Sequence, residues 1–245
     1  MNLRMVFAAL GVLMTAACAA TPKDISVSSS SDIGLVVIEV EPTEDLRAHA
    51  QYNLGVMAFD PATGKITANF FGGWAGIDPQ SAAVSDRSYL VGQAKPGVYA
   101  LADLRISQWG VCYNNGTVRF DVRPGEVVFV GRYNPNTSLT ELQEATRDGR
   151  VPRQAMQNQF FYLFDTPRPD LTPPDRVEGW RDNVRAYLSA NFPNVSAPIT
   201  QAVHTPAVFG TGRSLDGTIK LCGGYYAKGR DQAEPAVASA TSTPD

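Results

Sequence analysis

Two histidines, three cysteines and a scatter of carboxylates are the residues from which this 245-residue chain could build chemistry. A Ser-His-Asp or Cys-His device needs an imidazole beside a nucleophile. Only His49 and His204 are available, and no G-x-S-x-G elbow accompanies them. Each has small or polar neighbours, which reads as a surface or loop histidine. No H-x-x-x-H or C-x-x-C spacing offers paired metal ligands. Glu39 and Glu41 would share a strand face about 7 Å apart, since strands rise about 3.3 Å per residue. That separation suits glycoside hydrolysis, yet an alternating solvent face explains it with fewer assumptions. Gly72-Gly73-Trp74-Ala75-Gly76 and Gly210-Thr211-Gly212-Arg213-Ser214 are glycine-rich, but neither completes a phosphate-cradling motif. Trp74 could lie flat on a sugar or peptide. A tight turn with Trp74 tucked into the core is the simpler reading. No catalytic set, metal site or cofactor follows, and the chain reads as non-enzymatic.

Charge narrows the partners. Lys and Arg number 21 and Asp and Glu 24, a net charge of −3. A mildly acidic chain lacks the basic footprint that nucleic acid requires. Charged residues are 18% of the chain, below the roughly 25% of soluble domains. The length suits one large or two small domains with a core that needs no metal.

The N-terminus reads as an address. Arg4 supplies a positive charge, and Met5–Met14 is an apolar run of ten residues. That is signal-peptide length and too short to span a bilayer, which takes about 20 residues. Small residues then lead to Cys18. The Ala16-Ala17-Cys18 junction resembles a bacterial lipoprotein signal, in which the cysteine is lipidated and becomes the first mature residue. Thr15 stands where an aliphatic residue is usual. The resemblance implies a membrane anchor on Cys18, and the non-acidic Ala19 implies the outer membrane. Ordinary cleavage, giving a soluble periplasmic or secreted protein, is the alternative. Residues 1–17 are thus expected to be a signal peptide. The serine-rich stretch 18–32 is expected to be a flexible tether, because it is too polar to repay its ordering entropy.

With Cys18 lipidated, Cys112 and Cys222 remain. Two cysteines in an oxidising envelope tend to pair. A bond between them would staple the C-terminal strand onto the fold; two free buried thiols are the other reading.

Several short strands must position these residues. Val36, Ile38 and Val40 alternate with Glu39 and Glu41. Asp60-Pro61-Ala62-Thr63-Gly64-Lys65 turns the chain, making 52–71 a hairpin. Val98 to Ile106 alternates, with Asp103 and Arg105 expected outward. Asn114-Asn115-Gly116 predicts a type I′ hairpin, and Val127–Val130 is apolar on both faces, as in a central strand. Residues 33–134 therefore predict an antiparallel β-sandwich. Ser138-Leu139-Thr140-Glu141 is a capping box that should open a helix to about Arg147. Trp180, Val184 and Leu188 predict an amphipathic helix over 176–191. The fold class is thus mainly β: a sandwich, then an α/β region at 135–227 with one or two amphipathic helices packing on it. A disordered tail is expected at 228–245.

The stretches G-V-Y-A-L and C-Y-N-N-G-T-V-R-F-D-V-R-P-G-E-V-V-F-V-G resemble the small transthyretin-like sandwiches of uncharacterised bacterial envelope lipoproteins. There a G-x-Y strand precedes a Pro-Gly turn and a V-x-x-G strand. The resemblance covers about a third of the mature chain. It implies a fold and a compartment and brings no catalytic residues. The expected function is a lipid-anchored envelope protein with a structural or interaction role, with an envelope protein as a possible partner. A carbohydrate or peptidoglycan-fragment binding module using Trp74 is the alternative, and an envelope hydrolase a more distant one.

Overall fold

The period-two pattern from Gly34 onward folds into strands because branched and small apolar residues pack well on a pleated surface. The computed structural model describes residues 25–42, 52–66, 76–77, 80–84, 87–106, 109–150, 161–166, 168–213 and 220–222. Strands β1 (Gly34–Val40), β2 (Tyr52–Asp60), β3 (Lys65–Ile66), β4 (Gly76–Ile77), β5 (Gln80–Val84), β6 (Arg87–Ala94), β7 (Gly97–Ile106), β8 (Trp109–Cys112), β9 (Thr117–Val122) and β10 (Val127–Asn134) precede helix α1 (Asn136–Arg147). Then come β11 (Phe161–Leu163), β12 (Asp170–Thr172), α2 (Trp180–Asn191), β13 (Ile199–Gln201), β14 (Thr205–Ala207), β15 (Gly212–Arg213) and β16 (Lys220–Leu221). The protein is mainly β.

Two sheets face each other. The first runs β12-β10-β1-β6-β5, with β13 also on β10. The second runs β11-β8-β7-β2-β3, with β9 on β7, β14 on β9 and β4 on β2. Val36, Ile38, Leu54, Leu101, Phe120 and Val130 join in the core between them, and Leu139 and Leu142 of α1 close one end of it. Each fully buried side chain of this size contributes about 1.5–3 kcal/mol.

Both outer faces are covered as well. Val184, Tyr187 and Leu188 of α2 pack with Leu35, Val37 and Phe129 on the first sheet. Trp180 stacks on Phe129, ring centroids 4.9 Å apart. On the second sheet, Tyr162, Phe209 and Cys222 pack with Met57, Ala100 and Ala102. The C-terminal region thus does more than pack on the sandwich, because β11 to β14 join its sheets by hydrogen bonds.

Several expectations are corrected. The sandwich is mixed rather than antiparallel: β1 with β10, β10 with β13 and β8 with β11 are parallel. The parallel partners join strands far apart in sequence, which turn grammar cannot reveal. Asn114-Asn115-Gly116 makes no type I′ hairpin, since none of the three has the positive φ that turn needs. β8 and β9 instead run on in one direction along the same edge of the ten-residue β7. The intervening residues bulge out, and Tyr113 and Thr117 are buried there, with Thr117 Oγ1 donating to the Leu101 carbonyl.

The capping box is not formed. α1 begins three residues earlier, at Asn136, with Pro135 in place of Ser138 at its N-cap, and Ser138 is buried. α2 begins at Trp180, later than expected, after a 3-10 turn at Pro174–Arg176 and Gly179 at φ 63°. Residues 25–32, expected within the tether, belong to the fold. Ile25 and Val27 are buried, and Val27 bridges to Val195.

Candidate functional site

Three buried polar clusters and one disulfide gather the chemistry-bearing side chains among the described residues. The first cluster follows from a bulge in β7. Gly55 of β2 pairs with Asp103 and Val56 with Leu101, so Ala102 has no partner and the alternation shifts by one. Asp103, expected outward, is fully buried. Its Oδ2 accepts from Tyr162 Oη at 3.0 Å and pairs with Arg105 Nε at 3.3 Å. The carboxylate also lies against the Gly55 backbone, where a Cβ would collide with Oδ1. Burial raises the Asp103 pKa; Arg105, Tyr162 and the Gly55 N–H oppose that rise. Burial, and then the adjacent carboxylate, push the Tyr162 phenol up.

Directly across the ladder from Asp103 stands Cys112. Cys112 and Cys222 form a disulfide, with Cα atoms 5.6 Å apart. The short hairpin β15–β16 delivers Cys222. The pair therefore staples the C-terminal strand to the outer face of the second sheet.

The second cluster sits beneath α1. Tyr113 Oη shares hydrogen bonds with Tyr133 Oη at 2.5 Å and Ser138 Oγ at 2.7 Å. All three residues are buried, and burial pushes the Tyr113 phenol up to about 12. Alongside lies a cavity of about 30 Å³ lined by Val111, Thr137, Ser138, Glu141, Thr166 and Arg168. That is room for a water molecule or two, far below the roughly 300–1,000 Å³ of small-molecule pockets.

Glu39 supplies the third cluster. Its carboxylate accepts from Arg132 Nε at 2.9 Å and is 4% exposed. The solvent face expected for Glu39 is in fact under the α2 layer, so Glu39 and Glu41 do not form a matched pair on an open surface.

Of the histidines, His204 lies just past β13, half-buried, its Nε2 donating to the Val130 carbonyl at 2.7 Å. Burial lowers its pKa, while the Val130 carbonyl and Asp175 act the other way. In the Gly210–Ser214 loop, Gly212 and Arg213 are β15, a ladder position that cradles no phosphate. Cys18, His49 and Trp74 lie outside the described residues, as do the signal stretch 1–17 and the tail 228–245. Among the described residues no group of three or more His, Cys, Asp and Glu is placed to hold a metal. No described helix is long and apolar enough to cross a membrane.

Asp103, Tyr162, Tyr113 and Tyr133 went unmarked in the sequence reading. One signal was available: Asp103 interrupts the otherwise apolar run Val98–Leu104. Comparison with family models, curated proteins and solved structures finds no match for the chain.

Proposed function

We propose that this chain is an exported bacterial envelope protein, anchored through lipid on Cys18 in the outer membrane, with a structural or interaction role rather than a catalytic one. The observation that carries the reading is the buried disulfide Cys112–Cys222, closing 110 residues. Such bonds form and persist in oxidising compartments and are rare in a reducing cytosol. It supports export, which the Met1–Ala17 pattern and the Ala16-Ala17-Cys18 junction indicate independently. The buried polar groups support the non-catalytic part. Asp103, Glu39 and Tyr113 are each engaged by neighbouring side chains inside the fold. The likeness to transthyretin-like envelope sandwiches belongs to the same proposal.

Membrane fractionation of wild type and Cys18→Ser tests it. The wild type is expected with the outer membrane and the variant in the soluble periplasmic fraction. Identical partition of the two overturns the anchor.

A further inference from the structure

We propose that Cys222 is a site of thiol–disulfide exchange with dithiols. The attack falls on the Cys222 sulfur when the β15–β16 hairpin opens, and the two sheets stay folded throughout.

The two ends of the bond sit in different surroundings. Cys112 is the last residue of β8, which lies between β7 and β11 in the second sheet. It stands across the ladder from Asp103, and its carbonyl accepts from Thr166 Oγ1 at 3.0 Å. The residue is fully buried and packs in one cluster with Tyr162, Ala100 and Ala102. No thiolate reaches this sulfur without parting the sheet from the layer over it. Cys222 is held more lightly. It follows β16, a strand of two residues. Among the described residues β15 and β16 pair only with each other, as a sheet of their own. Lys220 is exposed, its Nζ 4.3 Å from the centre of the Phe164 ring. Leu221 is half-buried against the outer face of the second sheet. Cys222 itself keeps 5% exposure, against none for Cys112. A short ladder with few buried contacts opens far more often than the core of a fold. Which sulfur can be reached then decides which one is attacked.

In the open hairpin one thiolate of the dithiol attacks Cys222 Sγ and forms a mixed disulfide there. The bond to Cys112 breaks, and its electron pair leaves with Cys112 Sγ, which takes a proton from water. The second thiolate of the dithiol attacks its partner sulfur in the mixed disulfide and expels Cys222, which is protonated in turn. The dithiol ends as a disulfide, oxidised by two electrons, and the protein carries two thiols. The same steps reversed, with an oxidised dithiol, close the bond again.

The test is the rate at which excess dithiothreitol reduces the full-length oxidised chain, read by quenched alkylation of Cys112 and Cys222 at urea concentrations below the unfolding transition. Through the hairpin the rate should change less than about threefold per molar urea, since local opening exposes little surface. Through global unfolding it would climb about 30-fold per molar. Leu221→Ala should speed the reaction, whereas Val27→Ala, which loosens the outer face of the first sheet, should leave it unchanged. Glutathione, a monothiol, stops at the first step, and mass mapping should find it on Cys222 with Cys112 free to alkylate. A rate that climbs about 30-fold per molar overturns the site. So does a rate raised as much by Val27→Ala as by Leu221→Ala, or glutathione found on Cys112.

Discussion

Breaking the Cys112–Cys222 bond should cost the protein a large part of its stability, and the size follows from where the bond sits. Its partners are 110 positions apart. In the chain-entropy model, closing such a loop removes about 16 cal/mol/K from the unfolded chain, about 4.8 kcal/mol at 25 °C. Typical domains are stable by only about 5–15 kcal/mol. Both cysteines are buried, Cys112 completely and Cys222 to 5% exposure. A Cys112→Ala, Cys222→Ala double variant therefore adds a packing loss of roughly 1–2 kcal/mol to the entropic one. Reduction without substitution isolates the entropic part, since both sulfurs stay in place. Urea unfolding followed by tryptophan fluorescence reads both. With a slope of about 2 kcal/mol/M, the reduced protein should unfold about 2 M earlier than the oxidised protein, and the double variant earlier still. Thiol alkylation must show two free sulfhydryls in the reduced sample. A midpoint that stays within about 0.5 M after complete reduction refutes the reasoning. The staple would then constrain nothing that the remaining contacts of β16 do not already hold.

Other outcomes are as specific. Burial raises the Asp103 pKa above its usual 3.8, so its contribution to stability is full below that value and is lost as pH rises through the folded pKa. Melting temperatures taken from acid to neutral pH should therefore fall more for wild type than for Asp103→Asn; parallel profiles would count against the raised pKa. In Gly55→Ala the added methyl meets the Asp103 carboxylate, an overpacking cost of about 1–3 kcal/mol in urea unfolding; an unchanged midpoint would put the carboxylate elsewhere. Tyr113→Phe leaves the ring in place and removes the hydroxyl shared with Tyr133 and Ser138. A loss of about 1–3 kcal/mol is expected, and the tyrosinate absorbance titration should lose one phenol that ionises near pH 12. Val27→Ala should cost roughly 1–3 kcal/mol, because Val27 is fully buried; a substitution in a tether would cost nothing.

Local signals were reliable where a local cause operated. The Asp60–Lys65 turn forms as expected. Asp60 Oδ1 accepts from Ala62 N at 2.9 Å, Thr63 Oγ1 donates to Asp60 Oδ2 at 2.7 Å, and Gly64 takes φ 63°. Val184 and Leu188 are buried one turn apart, as the spacing of α2 requires. Val127–Val130 is buried on both faces because the second sheet covers one side of β10 and the α2 layer the other. Signals were misleading where a distant element supplied the partner. The Asn-Gly turn gave way to the continuous edge of β7, whose backbone groups would otherwise lack partners. Ser138 gave up its cap for a phenol 25 positions away. Asp103 and Glu39 were placed outward by alternation. The bulge leaves Asp103 on the outer face of its sheet, across from Cys112, and there Tyr162 covers it; the other sheet's C-terminal layer covers Glu39's face.

The sequence by itself determined the β-rich class, the position of several turns and the apolar faces of the helices, because each depends on residue type and near-neighbour spacing; it left Cys112 and Cys222 open between a bond and two free thiols, and the structure pairs them. The sequence also carries the whole case for an address at the N-terminus. Only the tertiary structure decided which strands run parallel, that Ile25 and Val27 belong to the core, and that the polar residues Asp103, Glu39 and Tyr113 are buried. Those outcomes depend on contacts between residues tens of positions apart. A residue that alternation places on an outer face is buried when a segment from far along the chain covers that face, as Tyr162 covers Asp103.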